Sequence, residues 1–300
     1  MKGAKATMLS ESQLTGAIVA QAKSLGASVA GVADVAPLKE SPSHRIYPKI
    51  GMDPEVRWQD APDEVKNHEV EWPADAVSAV VIGVVHPVDQ PELDWYDGKG
   101  TPGNRILIGI AKQLSEWLEE TFSVKTYRPP YFIEKGGVFL KDSAVMAGLG
   151  CIGKNNIVIT PEYGPRIRWR ALLMNRTAEA TGPLDFDPCD GCDQPCRKAC
   201  PVGAFDDTVY SSSALGQSIL PGINGTYDRV TCNTKMSRDV EDAAMAMAAS
   251  DEEREDILWT MNAFEEVVMA LPKGDGEPQY GVKYCRRCEL SCPVGRQAGE

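Results

Sequence analysis

Eight of the nine cysteines fall after residue 188, in two runs with nearly the same spelling. The first reads Cys189-x2-Cys192-x3-Cys196-x3-Cys200-Pro201 and the second Cys285-x2-Cys288-x3-Cys292-Pro293, with Cys232 between them. Both end in Cys-Pro-Val-Gly. A [4Fe–4S] cube needs four thiolates at tetrahedral corners, and short spacings let one loop wrap it. In two-cluster ferredoxins three close cysteines grip one cube and the next reaches the other. That logic places Cys189, Cys192, Cys196 and Cys292 on one [4Fe–4S] cluster, and Cys200, Cys232, Cys285 and Cys288 on a second. The x3 between Cys192 and Cys196 is one residue longer than the standard run. The alternative is a pair of zinc sites of four thiolates each. The C-x2-C pairs suit zinc, whereas the C-x3-C-P endings suit cubes.

Two cubes imply one-electron transfer to a centre that needs it. A ferredoxin alone has no use for the roughly 180 residues that precede the cysteines, so the expected acceptor lies there. The chain has 300 residues, 43% hydrophobic and 25% charged, an ordinary globular composition. Its opening residues show neither an apolar signal core nor twin arginines, and no apolar run is long enough to cross a bilayer. The expectation is a cytoplasmic protein with no membrane contact, whose cysteines are thiols rather than disulfides. The net charge of −12 argues against nucleic acid as a partner, because phosphate contacts dominate non-specific affinity. Arg166, Arg168 and Arg170 alternate in "YGPRIRWR" and read as a solvated strand face.

Residues 10–26 predict a helix opened by a Ser10–Gln13 capping box and closed by Gly26. "SVAGVADV" and "AVSAVVIGVVHPV" read as strands, with His86 as a structural histidine at the end of the second. Residues 36–74 read as mostly loop. "RILIGIAKQLSEWLEETF" reads as a helix with Ile106, Ile110, Leu114 and Trp117 on one face. "VKTYRPP" is a short extended segment. "GPLDFDPCDGC" marks a boundary near residue 180, beyond which there is little strand signal: one or two helices, a capping box at Ser250 and Glu253, and Met245, Met247, Met261 and Met269 as helix contacts. The fold class expected is α+β. An α/β domain over residues 1–180, its sheet open to mixed pairing, precedes a ferredoxin-like two-cluster domain over 181–300 with a helical insertion at about 206–280.

"AGLGCIGKNN" fits both G-x-G-x-x-G and the start of a phosphate loop. Both nucleotide motifs require a strand before the glycines and a helix after them. Here the order is reversed, and Asn155 stands where a phosphate loop needs Ser or Thr. Both readings are rejected. What remains is a turn whose backbone passes close to something, with Cys151 as a buried structural thiol.

"LKDSAVMAGLGCIGKNNIVITPEYGPRIRWRALL", with "CDGCDQPCRKACPVGAF" and "CRRCELSCPVG", resembles the epoxyqueuosine reductases and reductive dehalogenases. "GASVAGVADVAPL" is similar to their N-terminal strand. The resemblance covers most of residues 10–205 and 285–295. It implies a nitroreductase-like α/β domain holding base-off cobalamin beside two [4Fe–4S] clusters. It also implies that Gly148, Gly150, Gly153, Lys154 and Asn155 touch the corrin. The epoxyqueuosine reductases place an acidic residue where this chain has Glu134. The dehalogenases use a tyrosine proton donor with a basic residue nearby, for which Tyr131 and Lys141 are the candidates. The expected activity is a cobalamin-dependent reduction of a small-molecule substrate, fed by reduced ferredoxin or flavodoxin. An electron-transfer or corrinoid-handling protein with no organic substrate of its own is the alternative.

Overall fold

The computed structural model describes residues 9–50, 70–95, 101–131, 133–248, 268–271, 279–282 and 285–295; at 134, 240–248, 268–271 and 279–282 it describes the backbone alone. Helix α1 (Glu11–Ser24) begins at the expected capping box, with the Ser10 hydroxyl accepting from Gln13 N and the Gln13 side chain accepting from Ser10 N. Leu14, Ile18 and Ala22 face inward at helical spacing, and Gly26 turns the chain at φ 106°. The β-branched runs then form β1 (Val29–Asp34) and β2 (Ser78–Val85).

Between them, α2 (Val35–Lys39) and α3 (Pro42–Ile50) occupy part of what reads in sequence as loop. Their prolines obscure the helical period. Pro42 opens its helix, and Pro48 falls in the last turn. Residues 51–69 lie outside the described residues.

Helix α4 (Pro102–Phe122) is capped by Thr101 and followed by β3 (Thr126–Tyr127). Its inner face is Leu107, Ile110, Ala111, Leu114 and Leu118. The face expected from sequence is rotated from this one: Ile106 is 43% exposed, and Trp117 packs at the edge. Helix α5 (Leu140–Met146) leads into a two-stranded ribbon, β4 (Cys151–Ile152) and β5 (Val158–Ile159), and then β6 (Ile167–Met174). The strand that the reversed order puts after the glycines is only the short β5, because a turn follows it, with Thr160 and Gly164 bridged across.

The main sheet runs β1-β2-β6-β3, and every pairing in it is antiparallel, not mixed. Alternation along the strands divides the core. Val32, Val80, Ile82 and Leu172 pack on α1 and α4, while Ala33, Val81, Ile167 and Trp169 pack on α5. Leu114 is wholly buried in the first layer.

The cysteine region carries α6 (Pro195–Lys198), α7 (Ser212–Leu215), α8 (Arg229–Ala248) and a last short helix, Arg287–Leu290, which packs on α6. Strands β7 (Val268–Leu271) and β8 (Gln279–Val282) pair where the sequence reads as helix end and loop. Val268 is β-branched, and its strand gains its ladder only from a partner across residues 272–278. The capping box at Ser250 and Glu253, the whole of Met261, and the side chains of Met245, Met247 and Met269 lie outside the described residues.

Candidate functional site

Cys189, Cys192, Cys196 and Cys292 are electrostatic neighbours in every pairing, and burial, the largest cause, raises the thiol pKa of Cys189, Cys196 and Cys292. Cys200, Cys232, Cys285 and Cys288 are likewise neighbours in every pairing. Burial pushes Cys288 furthest, with the adjoining thiols adding to it. Among the described residues no three His, Cys, Asp or Glu side chains converge closely enough to hold a single metal ion. The thiols are neighbours, not a coordination sphere. Main-chain N–H groups are aimed at the sulfurs: Lys154 N to Cys189 Sγ at 3.5 Å, Gln194 N to Cys192 Sγ at 3.4 Å and Ala204 N to Cys200 Sγ at 3.3 Å. Such donors stabilise sulfur as thiolate, the form that binds iron.

The last cysteine segment is fastened to the α/β part by glycines and arginines. Gly164 and Gly295 are both left-handed, at φ 58° and 70°, and sit back to back. A Cβ on Gly164 would overlap Val294 O, and one on Gly295 would overlap Gly164 N. "PEYG" and the second "CPVG" are therefore two halves of one contact. Arg166, 3% exposed, donates to Val294 O at 2.8 Å and to Cys292 O at 3.4 Å. Arg168 spans Asp94 at 2.9 Å and Glu289 at 2.8 Å. Arg286 pairs with the same two carboxylates, and its NH2 also donates to His86 O at 3.2 Å. His86 Nδ1 bonds Asp94 at 2.7 Å. Burial opposes the charge on Asp94, but Arg168, His86 and Arg286 outweigh it and hold the carboxyl at about 2. The arginine stripe is thus no solvated face. Its alternation is real, but Arg168 faces buried carboxylates distant in sequence, Arg166 meets main-chain carbonyls, and Arg170 donates to Asn104 Oδ1 at 2.8 Å. His86 is fully buried, and its Nε2 has no hydrogen-bond partner among the described residues.

The glycine turn also meets the chain itself. A Cβ on Gly148, at φ 68°, would stand 2.6 Å from Thr181 O. On Gly150 it would overlap Ile159 O, and on Gly153 the Ile159 side chain. Close approach is what these glycines serve, and the surface approached on the Cβ side is protein. Lys154 Nζ donates to Cys189 O at 2.8 Å, and Arg197 Nε to Lys154 O at 2.9 Å, so the turn is stitched to the first cysteine loop. Asn155 is 2% exposed; its Oδ1 accepts from Ile157 N, and its Nδ2 has no hydrogen-bond partner among the described residues. That orphaned donor fits an acceptor on a cofactor.

Lys141 donates to Asn156 O at 2.6 Å and lies over the Tyr227 ring at 5.8 Å. Burial draws its pKa down to about 8, opposed by nearby Cys232. Its surroundings are thus those of the second thiol group. Tyr131, 44% exposed, has the Arg170 guanidinium over its ring at 4.6 Å. Glu134 is in the 3-10 turn Ile133–Lys135, and its side chain lies outside the described residues. Sequence reasoning missed Asp94 and Glu289. Nothing in their sequence neighbourhoods singled them out: Asp94 stands among other acids in "DQPELDWYDG", and Glu289 follows two arginines in "CRRCEL".

No protein-family model matches the chain. An epoxyqueuosine reductase from Synechocystis sp. (strain ATCC 27184 / PCC 6803 / Kazusa) is 28% identical over 162 residues, 52% of this chain and 54% of that protein. Another from Gloeobacter violaceus is 27% identical over 198 residues, 63% of this chain and 60% of the relative. The chain thus spans little more than half the length of these curated relatives. Among solved structures, epoxyqueuosine reductase from Streptococcus thermophilus superposes with a TM-score of 0.55 at 22% identity, covering 94% of this chain and 66% of that one. The catabolic reductive dehalogenase NpRdhA in complex with 3-bromo-4-hydroxybenzoic acid gives 0.58 at 17% identity, covering 99% and 33%. A complex of epoxyqueuosine reductase with an epoxyqueuosine-modified tRNA stem loop gives 0.53 at 18%, covering 94% and 65%. The chain is a homologue of the epoxyqueuosine reductases and shares its fold with them and with the reductive dehalogenases.

Proposed function

We propose that the protein is a cytoplasmic two-cluster iron–sulfur reductase. One observation carries the reading: eight thiols gather into two groups of four, each drawing on both cysteine runs. Cys189, Cys192, Cys196 and Cys292 hold one [4Fe–4S] cluster. Cys200, Cys232, Cys285 and Cys288 hold the other. The division near residue 180 separates the acceptor part from the cluster part. Electrons enter from reduced ferredoxin or flavodoxin at one cluster and leave from the other. Among the described residues no helix is long and apolar enough to cross a membrane.

The resemblance names base-off cobalamin as the acceptor; when bound, it supplies a metal centre that gives and takes electrons singly. The residues proposed to touch it are Gly148, Gly150, Gly153, Lys154 and Asn155. The packing just described accounts for the three glycines without a ligand. Asn155 is the residue of the five with a buried donor left to offer. Glu134 or Tyr131 is the proposed proton donor to substrate, since each lies in the segment 131–135 that precedes α5. Lys141 sits beside Cys232 and Cys288, which supports a charge-balancing role over a proton relay through Tyr131.

The homologues change the expected substrate. The curated relatives are named for epoxyqueuosine, and one structural neighbour holds a modified tRNA stem loop. A modified nucleoside carried on RNA therefore replaces the unspecified small molecule as the first substrate to test. A net charge of −12 is an average over the whole chain and does not exclude a local RNA-binding face.

Anaerobic purification and reconstitution tests the reading. Iron and acid-labile sulfide near eight each per chain are expected for two cubes. Zinc in their place would remove the redox function. Added cobalamin should then change its visible spectrum to the base-off form, and Glu134→Gln should lower turnover of epoxyqueuosine-modified RNA by about 100-fold or more at unchanged iron. Loss of that effect would remove Glu134 from the mechanism.

A further inference from the structure

Two cubes use eight thiols, and the chain has nine cysteines. The remaining one, Cys151, is half-buried rather than fully enclosed as expected from sequence, and it is not alone. Strand β4 pairs it with Ile159 on β5. Ile159, Cys189 and Cys292 form one buried apolar group, and Cys151 packs directly against it, with Phe186 and Val294 alongside. Cys189 and Cys292 are both among the charges that Cys151 feels most. The ribbon holding Cys151 is rigid: Gly150 is pressed on Ile159 O, and Gly153 N donates to Ile157 O at 2.8 Å. The same ribbon delivers Lys154 N to Cys189 Sγ. A fifth thiol is therefore fixed at the edge of the first group of four, on the side of Cys189 and Cys292.

We infer that Cys151 is a reserve ligand of the first cluster, able to take the iron corner of Cys189 or Cys292. This rests on reading that group as a cluster site. The exchange is redox-neutral. The Fe–S bond to the departing cysteine breaks and its sulfur takes up a proton. Cys151 loses its proton and forms the new Fe–S bond, with iron binding driving the deprotonation. A cube tolerates the exchange because one ligand position among four moves while the other three stay bound.

The test compares Cys189→Ala, Cys292→Ala and Cys192→Ala, each with and without Cys151→Val, after anaerobic reconstitution. Cys189→Ala and Cys292→Ala should keep about eight irons per chain and both reduced-cluster resonance signals. Adding Cys151→Val should reduce iron to about four and remove one signal. Cys192→Ala should fall to about four whether or not Cys151 is present. Loss of one cluster in Cys189→Ala and Cys292→Ala alone would overturn the inference, as would equal rescue of Cys192→Ala. Wild-type protein that takes up no iron would instead overturn the cluster reading, and this inference with it. If the alanine variants do not fold, Cys189→Ser keeps the side-chain size, and alkylation mapped by mass spectrometry reads the exchange. Cys151 should react in the wild-type holoprotein and be protected in Cys189→Ser; reaction in both would overturn the inference.

Discussion

His44 lies against Trp72 and Phe139, with ring centroids 5.3 and 4.8 Å away, and its Nε2 accepts from Phe139 N at 3.2 Å. Burial draws its pKa down to about 4, against the pull of Asp142. The unfolded chain takes up a proton near pH 6.5 and the folded one only near 4, so stability falls as pH drops through that window. The loss reaches at most about 3 kcal/mol. His44→Gln should flatten the melting temperature between pH 6.5 and 4; an unchanged slope would assign it elsewhere. Gly164 makes a second residue-level prediction. Alanine there needs φ near 58° and a Cβ inside Val294 O, so Gly164→Ala should cost about 2–4 kcal/mol in a denaturant melt and shed iron first. That these glycines serve close approach was legible in the sequence. What they approach was not, because a missing Cβ reports nothing about the atom opposite. Gly150 faces Ile159, nine residues on, and Gly164 faces Val294, far along the chain.

At the scale of elements, β6 shows both what patterning reveals and where it stops. Its alternation of Ile167, Arg168, Trp169 and Arg170 was readable, and so was a strand. The partners were not, since Asp94 is in a 3-10 turn and Glu289 in a four-residue helix, neither with a period to detect. These ion pairs join β6, the end of β2 and the helix that carries Cys288. Removing one member leaves an uncompensated buried charge, so Asp94→Asn or Glu289→Gln should each destabilise by about 3–5 kcal/mol. A double change to neutral, well-packed residues should recover part of that. Thermal melts of the two singles and the double provide the check. The capped helices α1 and α4 were legible because their signals are local. The inner face of α4 was legible in part: Ile110 and Leu114 are buried as expected, whereas Ile106 is exposed and Leu107, Ala111 and Leu118 fill the rest of the face.

For the whole molecule, antiparallel pairing of β1, β2, β6 and β3 brings "YGPRIRWR" to the sheet centre and holds the last cysteine run against it. The spacing suggested the same two sets of four cysteines that lie as neighbours in the structure, because short repeated intervals already bring thiols together locally. Sheet order was not legible, since it depends on pairings as distant in sequence as Ser78 with Met174. If both groups depend on the fastened segment 285–295, weakening its attachment should affect both clusters in step. Glu289→Gln should therefore lose its two reduced-cluster signals in parallel during a mild chelator challenge. Sequential loss would show that the groups are held independently.

The interleaving of the two runs has a consequence for biogenesis. Cys292 completes the first quartet, and Cys285 with Cys288 completes the second. On the proposed assignment the first cluster waits for Cys292 and the second for Cys285 and Cys288, so cubes can be inserted only into a chain synthesised through segment 285–292.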